Sequence, residues 1–234
     1  MPEIEIKGTI VDDDDGWIYD WFGIANTTAK KVKNGLEEAK GEAVTVKVNS
    51  GGGDLFAGNE IYYLLKAYRG RVTVDIMGLA ASAATVICCA GNRVRANPGA
   101  QYMIHNVSCV AVGDYNAMDH ASQVLQNANK AVSNIYQLKT GMSEQELLDL
   151  MNQESWMDAT KAKEYGFVDE IIGDGGQLSQ AVPVLHNAAG RYAKILDEEV
   201  KEKIRNTVKK PGTDADFSIQ RNMLNLMRLR GGQR

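Results

Sequence analysis

Residues 78–85 read GLAASAAT: small side chains apart from one leucine, with Ser82 in the middle. A serine that opens a helix directly after a strand sits at the helix's positive end, where the macrodipole carries roughly half a unit charge. The neighbouring alanines leave room for a substrate carbonyl, and the N–H of Ala83 points at the same spot. An acyl-transfer nucleophile with an oxyanion donor requires this arrangement. A plain helix N-cap also accounts for a serine here. A serine nucleophile needs a base, and the chain has three histidines, His105, His120 and His186. His105 ends the short apolar stretch AQYMIH, at the carboxyl end of a strand, and is the one placed to meet Ser82. Such a base contributes about 10²–10⁴ in rate. A third stretch, SGGGD at 50–54, brings glycines whose backbone admits a close peptide, as an oxyanion partner or as an edge for a bound strand.

The elements that position these residues follow from patterning. Strands are expected over 3–11, 43–48, 71–78, 100–105 and 168–172, each β-branched or alternating. Helices are expected over 26–41, 55–70, 82–91, 143–152 (with a Ser143–Glu146 capping box) and 158–167. This alternation predicts an α/β fold of βαβ units on a parallel sheet, with ligands beyond the carboxyl ends of its strands. SGGGD and GLAAS, both read as strand-to-helix turns, fall at those ends. A long helix over 114–139 carries Met118, Ala121, Leu125, Ala128, Val132 and Ile135 at heptad-like spacing. That seam serves either the chain's own core or a second subunit. The DDDD run at 12–15 reads as a solvated acidic face rather than a cation site.

The chain has 234 residues and a net charge of −4, so no general basic field points to nucleic acid. Residues 191–234 hold 11 Lys/Arg against 6 Asp/Glu, or +5, leaving 15 against 24, or −9, for residues 1–190. A body with a basic tail is expected, divided as 1–173, a linker over 174–190, and 191–234 with amphipathic helices at 191–210 and 217–230. Cys88, Cys89 and Cys109 suggest free thiols rather than a disulfide framework, with the adjacent pair in an apolar run. No secretion signal or apolar run of about 18 residues occurs. A cytoplasmic protein with no membrane span is expected.

VKVNSGGGDLFAGNEIYYLL, GLAASAATVICCAGNRVRANPGAQYMIHN and ATKAKEYGFVDEI together resemble the proteolytic subunit of the Clp protease (ClpP), in order, over about residues 4–173. The resemblance implies a ClpP/crotonase-type fold of repeated ββα units, with a long handle helix and here a helical C-terminal extension. It implies a serine endopeptidase needing neither cofactor nor metal, with Ser82 as nucleophile and His105 as base. Gly53 and Ala83 would supply the oxyanion N–H groups. Gly52 and a strand over 107–112, with Val107, Ser108 and Val110, would line the peptide groove. The chain departs from the family at the third triad member, where Glu154 stands in place of the usual aspartate, with Asp158 and Asp149 as rivals. Asp169 reads as structural. Gly51 also replaces the proline usual before the paired glycines.

The resemblance further implies self-association into hexameric or heptameric rings, single or double, acting on proteins or peptides. The extension and the Glu-Ser-Trp stretch resemble phage-borne relatives, which points to a prohead maturation protease cutting capsid or scaffold proteins in the host cytoplasm. The alternatives are a housekeeping subunit working under an AAA+ unfoldase, a crotonase-like acyl-CoA enzyme on the same superfold, and a catalytically inert assembly module. The tail either tethers the enzyme to assembly partners or packs on its own ring.

Overall fold

The computed structural model describes residues 1–173 and 196–207. Its first half is the expected succession of strand and helix. β1 (Glu3–Ile10) alternates exposed Glu and buried Ile at its start. After it come α1 (Gly16–Trp21), β2 (Asn26–Thr27), α2 (Ala29–Glu38), β3 (Val44–Gly53), α3 (Leu55–Ala67) and β4 (Val72–Ala81). Every valine of β3 and β4 is buried; β3 opens on a continuous buried run, whereas β4 alternates buried and half-buried positions before its buried end at Leu79–Ala81. The side chains of Thr28 and Asp54 cap α2 and α3 by accepting from Lys31 N and Ala57 N.

The second half carries α4 (Ala83–Cys88), β5 (Arg93–Ala96), β6 (Gln101–Ile104), α5 (Tyr115–Thr140), α6 (Glu144–Asn152), β7 (Ser155–Asp158), α7 (Ala159–Glu164), β8 (Glu170–Ile171) and α8 (Glu198–Thr207). Among the described residues the sheet has eight strands. Its main path runs β2-β1-β3-β4-β5-β8, and all pairs on it are parallel. β4 divides its partners: Thr73–Ile76 pair with β5, and Leu79–Ala81 pair with β6. β7 then adds antiparallel to β6. The core between sheet and helices is aliphatic, closed at one side by Tyr102, Tyr136 and Phe167, whose rings lie 5.0–5.4 Å apart.

Several expectations are corrected. SGGGD is not all turn, because β3 continues through Gly53. GLAA belongs to β4, so the helix expected over 82–91 starts at Ala83 and stops at Cys88. In both places pairing with a neighbouring strand overrides the turn propensity of small residues. Residues 107–112 form no strand; the backbone there has no ladder partner, and Val110 and Val112 are more than nine-tenths exposed. The helix expected over 55–70 ends at Ala67, because Tyr68 is extended. α1, β2, β5 and β7, all of six residues or fewer, escaped the sequence reading. Asp15, the last of the four aspartates, is buried rather than solvated. Cys88 and Cys89 are buried free thiols, whereas Cys109 is exposed.

The long helix forms as expected, with 26 residues, an Asp114 N-cap and Gly141 in the left-handed conformation at its end. It is about 39 Å long at 1.5 Å per residue. Its C-terminal part packs through Val132 and Tyr136, while residues 115–120 are exposed on every side. The heptad-like seam therefore serves the chain's own core at one end only. In the tail, α8 falls within the helix expected over 191–210. The linker 174–190 and the helix expected over 217–230 lie outside the described residues.

Candidate active site

Ser82 and His105 are delivered by neighbouring strands of one ladder. β4 and β6 run parallel, with Ala81 opposite Met103, and Ser82 N donates to Met103 O at 2.9 Å. Each side chain emerges just past the carboxyl end of its strand. The Ser82 Oγ and His105 Nε2 lie 2.7 Å apart. Ser82 itself is held at φ 55°, ψ −128°, a positive φ that costs a non-glycine residue about 1–3 kcal/mol. This turn aims Oγ away from α4, and the Ser82 side chain makes no capping bond. The plain N-cap reading of Ser82 thus fails.

The turn is braced from behind. Thr85 Oγ1 donates to Ser82 O at 2.5 Å, and Thr85 N donates to the same carbonyl at 2.9 Å. A hydroxyl has one hydrogen. The 2.7 Å contact between Thr85 Oγ1 and Tyr136 OH is therefore donated by the tyrosine. Thr85 and Tyr136 are both buried. Sequence reasoning missed this pair, whose members are 51 residues apart, because no local pattern joins them.

The glycine loop meets the same turn. A Cβ on Gly52 would stand 2.7 Å from the Ser82 Cβ and 3.0 Å from Ala83 N; one on Gly53 would stand 2.1 Å from Ile10 O. Both glycines have positive φ, 93° and 147°. Only a residue without a side chain lets β3 run this close. Gly53 and Ala83 both face a cavity of about 480 Å³ that also contains Ser82 and His105. Val107 and Ser108 line it too, whereas Val110 is exposed to solvent and Gly52 is not among the residues that line it. Val107 N donates to Asn129 Oδ1, and Asn106 Nδ2 donates to Asn152 Oδ1, both at 2.7 Å, anchoring the segment after His105 to α5 and α6.

Register brings Glu154 toward His105. Ile104 pairs with Ser155 at the start of β7. The ladder ends there, and Glu154 and His105 are the next residue on each side. Glu154 breaks the strand with φ 49°, and its Oε1 accepts from the Trp156 indole at 3.3 Å. It acts on His105 as a charge across the gap: burial pushes the imidazole pKa below its ordinary value, and the Glu154 carboxylate opposes that shift without cancelling it. The rival carboxylates are engaged elsewhere. Asp158 caps α7 by accepting from Lys161 N, and Asp149 accepts from Gln145. Asp169 accepts from Val94 N and pairs with Lys139.

The cavity is lined also by residues to which the sequence reading gave no role at the site: Asp15 just before α1, Tyr19 of α1, and Glu198 and Lys201 of α8. Asp15 accepts from Lys201 Nζ at 2.7 Å and also pairs with Arg205. Nothing in four consecutive aspartates marks the fourth as the buried one.

A serine–histidine contact with a carboxylate nearby and glycine-shaped backbone beside it is suited to acyl transfer. The family model described as Clp protease matches residues 23–175. Among curated relatives, the ATP-dependent Clp protease proteolytic subunit 1 of Chlamydia abortus is 31% identical over 137 residues, covering 56% of this chain and 71% of the relative. The ATP-dependent Clp protease proteolytic subunit of Bacteroides fragilis is 30% identical over 134 residues, covering 56% and 65%. In three dimensions, an asparagine-to-aspartate variant of ClpP1 from Listeria monocytogenes superposes with a TM-score of 0.61. It is 23% identical and covers 73% of this chain and 91% of its own. The ClpP-like arrangement of sheet and helices is thus shared, and the chain belongs to the Clp protease family of serine-type endopeptidases.

Proposed function

We propose that this chain is a ClpP-type proteolytic subunit that cleaves peptide bonds through an acyl-enzyme on Ser82. The 2.7 Å approach of His105 Nε2 to Ser82 Oγ carries the reading. His105 takes the hydroxyl proton as Oγ attacks the scissile carbonyl. The resulting oxyanion sits against the N–H groups of Gly53 and Ala83, a device whose loss costs about 10²–10³ in rate. The imidazolium, stabilised by Glu154, returns the proton to the leaving amine, and water repeats the cycle on the ester. Burial of His105 keeps it a neutral base at pH 7.

The names of the relatives favour the ATP-dependent, housekeeping type, working beside an unfoldase that feeds it extended chain. The exposed N-terminal part of α5 is the surface we assign to self-association into a ring. The prohead-maturation reading draws no support from these relatives, and its tethering tail is docked, over 196–207, on its own subunit. A crotonase-like role leaves the Ser82–His105 contact without a purpose. Fluorophosphonate labelling with native mass spectrometry tests the proposal: wild type labels, Ser82→Ala and His105→Ala do not, and all three assemble. Labelling that persists in Ser82→Ala overturns it.

A further inference from the structure

The cleft that holds Ser82 and His105 is lined also by Gly53, the end of β1, and residues at α1 and α8. α8 is seated there by two independent sets of contacts. The first is apolar: Ile204 and Leu196 pack with Val11, Ile18, Tyr19 and Phe22, apart from the main core, and Ile204 is fully buried. Leu196 N also donates to Tyr19 OH at 3.0 Å. The second is ionic. The side chains of Asp15 and Lys201 are each 9% exposed and in contact at 2.7 Å, with Arg205 on the other carboxylate oxygen and Glu198 on the lysine. A buried carboxylate shared by two cations is costly to expose or to leave half-paired, so it fixes one position of the helix. Glu198 and Lys201 line the same cavity as Ser82 and His105.

We propose that α8 is the end wall of the substrate cleft, and that the Asp15–Lys201–Arg205 cluster locks it there and so limits how far a bound peptide extends beyond the scissile bond in that direction. Lys201 and Glu198 are then specificity-determining residues supplied by a segment outside the sheet that carries the reacting groups. A peptide short enough to end before the wall binds without touching α8. A longer one must run into it or displace it. The inference rests on the cleft being the peptide site, and binding is the readout that separates the two.

The test uses the full chain carrying Ser82→Ala, so that peptides bind without being cut. Fluorescence anisotropy gives the Kd of a short fluorescein-labelled peptide and of the same peptide lengthened in steps at either end. Asp15→Asn removes the shared charge. Ile204→Asp undocks the helix from α8 itself and leaves the sheet core unaltered. Hydrogen exchange over 198–207 reports whether α8 has left its seat. We expect both variants to lose protection there and to bind the peptide lengthened toward the wall about tenfold or more tighter than the parent does, a change of about 1.4 kcal/mol. The short peptide should stay within about twofold. Lost protection with an unchanged long-to-short ratio overturns the wall. Retained protection in both variants overturns the lock. If neither short nor long peptide competes with fluorophosphonate labelling of the Ser82 parent, the peptide site itself is misplaced, and the function proposed above fails first.

Discussion

The brace behind Ser82 permits a quantitative test. Thr85→Val keeps the shape of the side chain but removes the hydroxyl that donates to Ser82 O and accepts from Tyr136 OH. Ser82 O retains the bond from Thr85 N, so that loss is an ordinary one of about 1 kcal/mol. Tyr136 fares worse. Its side chain is about 1% exposed, and the stranded hydroxyl adds about 1–3 kcal/mol. Thr85→Val should therefore destabilise by about 2–4 kcal/mol. Tyr136→Phe should cost about 1 kcal/mol, because Thr85 Oγ1 still has Ser82 O. The double variant leaves nothing stranded. It should fall short of the sum of the singles by at least about 1 kcal/mol. Urea midpoints at fixed protein concentration and constant slope give all four corners of the cycle. Thr85→Ser should restore most of the loss. Additivity within about 0.5 kcal/mol would refute the shared-hydroxyl account.

Other outcomes follow from the same geometry. Glu154→Gln should slow Ser82 labelling, while Asp158→Asn should not; equal rates would remove Glu154 from the site. Glu154 raises the His105 pKa against the larger effect of burial, so Glu154→Gln should move the acid limb of kcat/KM to still lower pH, further below 6.5. A limb that stays put or rises contradicts the electrostatic role. Gly53→Ala places a methyl 2.1 Å from a backbone oxygen at φ 147° and should lower kcat about 10²-fold or more. Burial raises the Asp15 pKa, but Lys201 and Arg205 outweigh it, so the folded value lies below 3.8. Its contribution to docking α8 is full above pH 3.8 and is lost as pH falls through the folded value. Emission from Trp21, in the α1–α8 cluster, should shift to the red only in that acid range; a shift near neutrality contradicts the ion lock.

Much of this architecture is legible in the chain. The alternation of Val-rich strands with capped helices marks a parallel sheet, and the Ser143–Glu146 box and the Asp114-to-Gly141 helix lie where their residues indicate. Ser82 and His105 are readable because each stands just past a β-branched or apolar run, where a parallel sheet gathers its functional groups. Glu154 emerges only through resemblance, since its place depends on β7, a four-residue strand whose pairing is decided by β6. The groove segment after His105 misleads in the other direction, because β-favouring valines do not make a strand without a partner edge. Asp15, Thr85 and Tyr136 are invisible for a shared reason. Each acquires its role from a residue far along the chain, 186 positions away for Asp15 and Lys201.

The spacing of adjacent strands in a sheet is a near-constant of about 4.8 Å, set by the amide hydrogen bond itself. Because Ser82 follows Ala81 directly and His105 stands two residues past Met103, the partner of Ala81, their nearness is set first by strand pairing rather than by the 22 residues of chain between them. Insertions or deletions in the loops between α4 and β5 or between β5 and β6 can lengthen or shorten that connection while the pairing of β4 with β6 is kept. The approach of the two residues thus has a backbone component, set by strand pairing, to which the side-chain brace behind Ser82 is added.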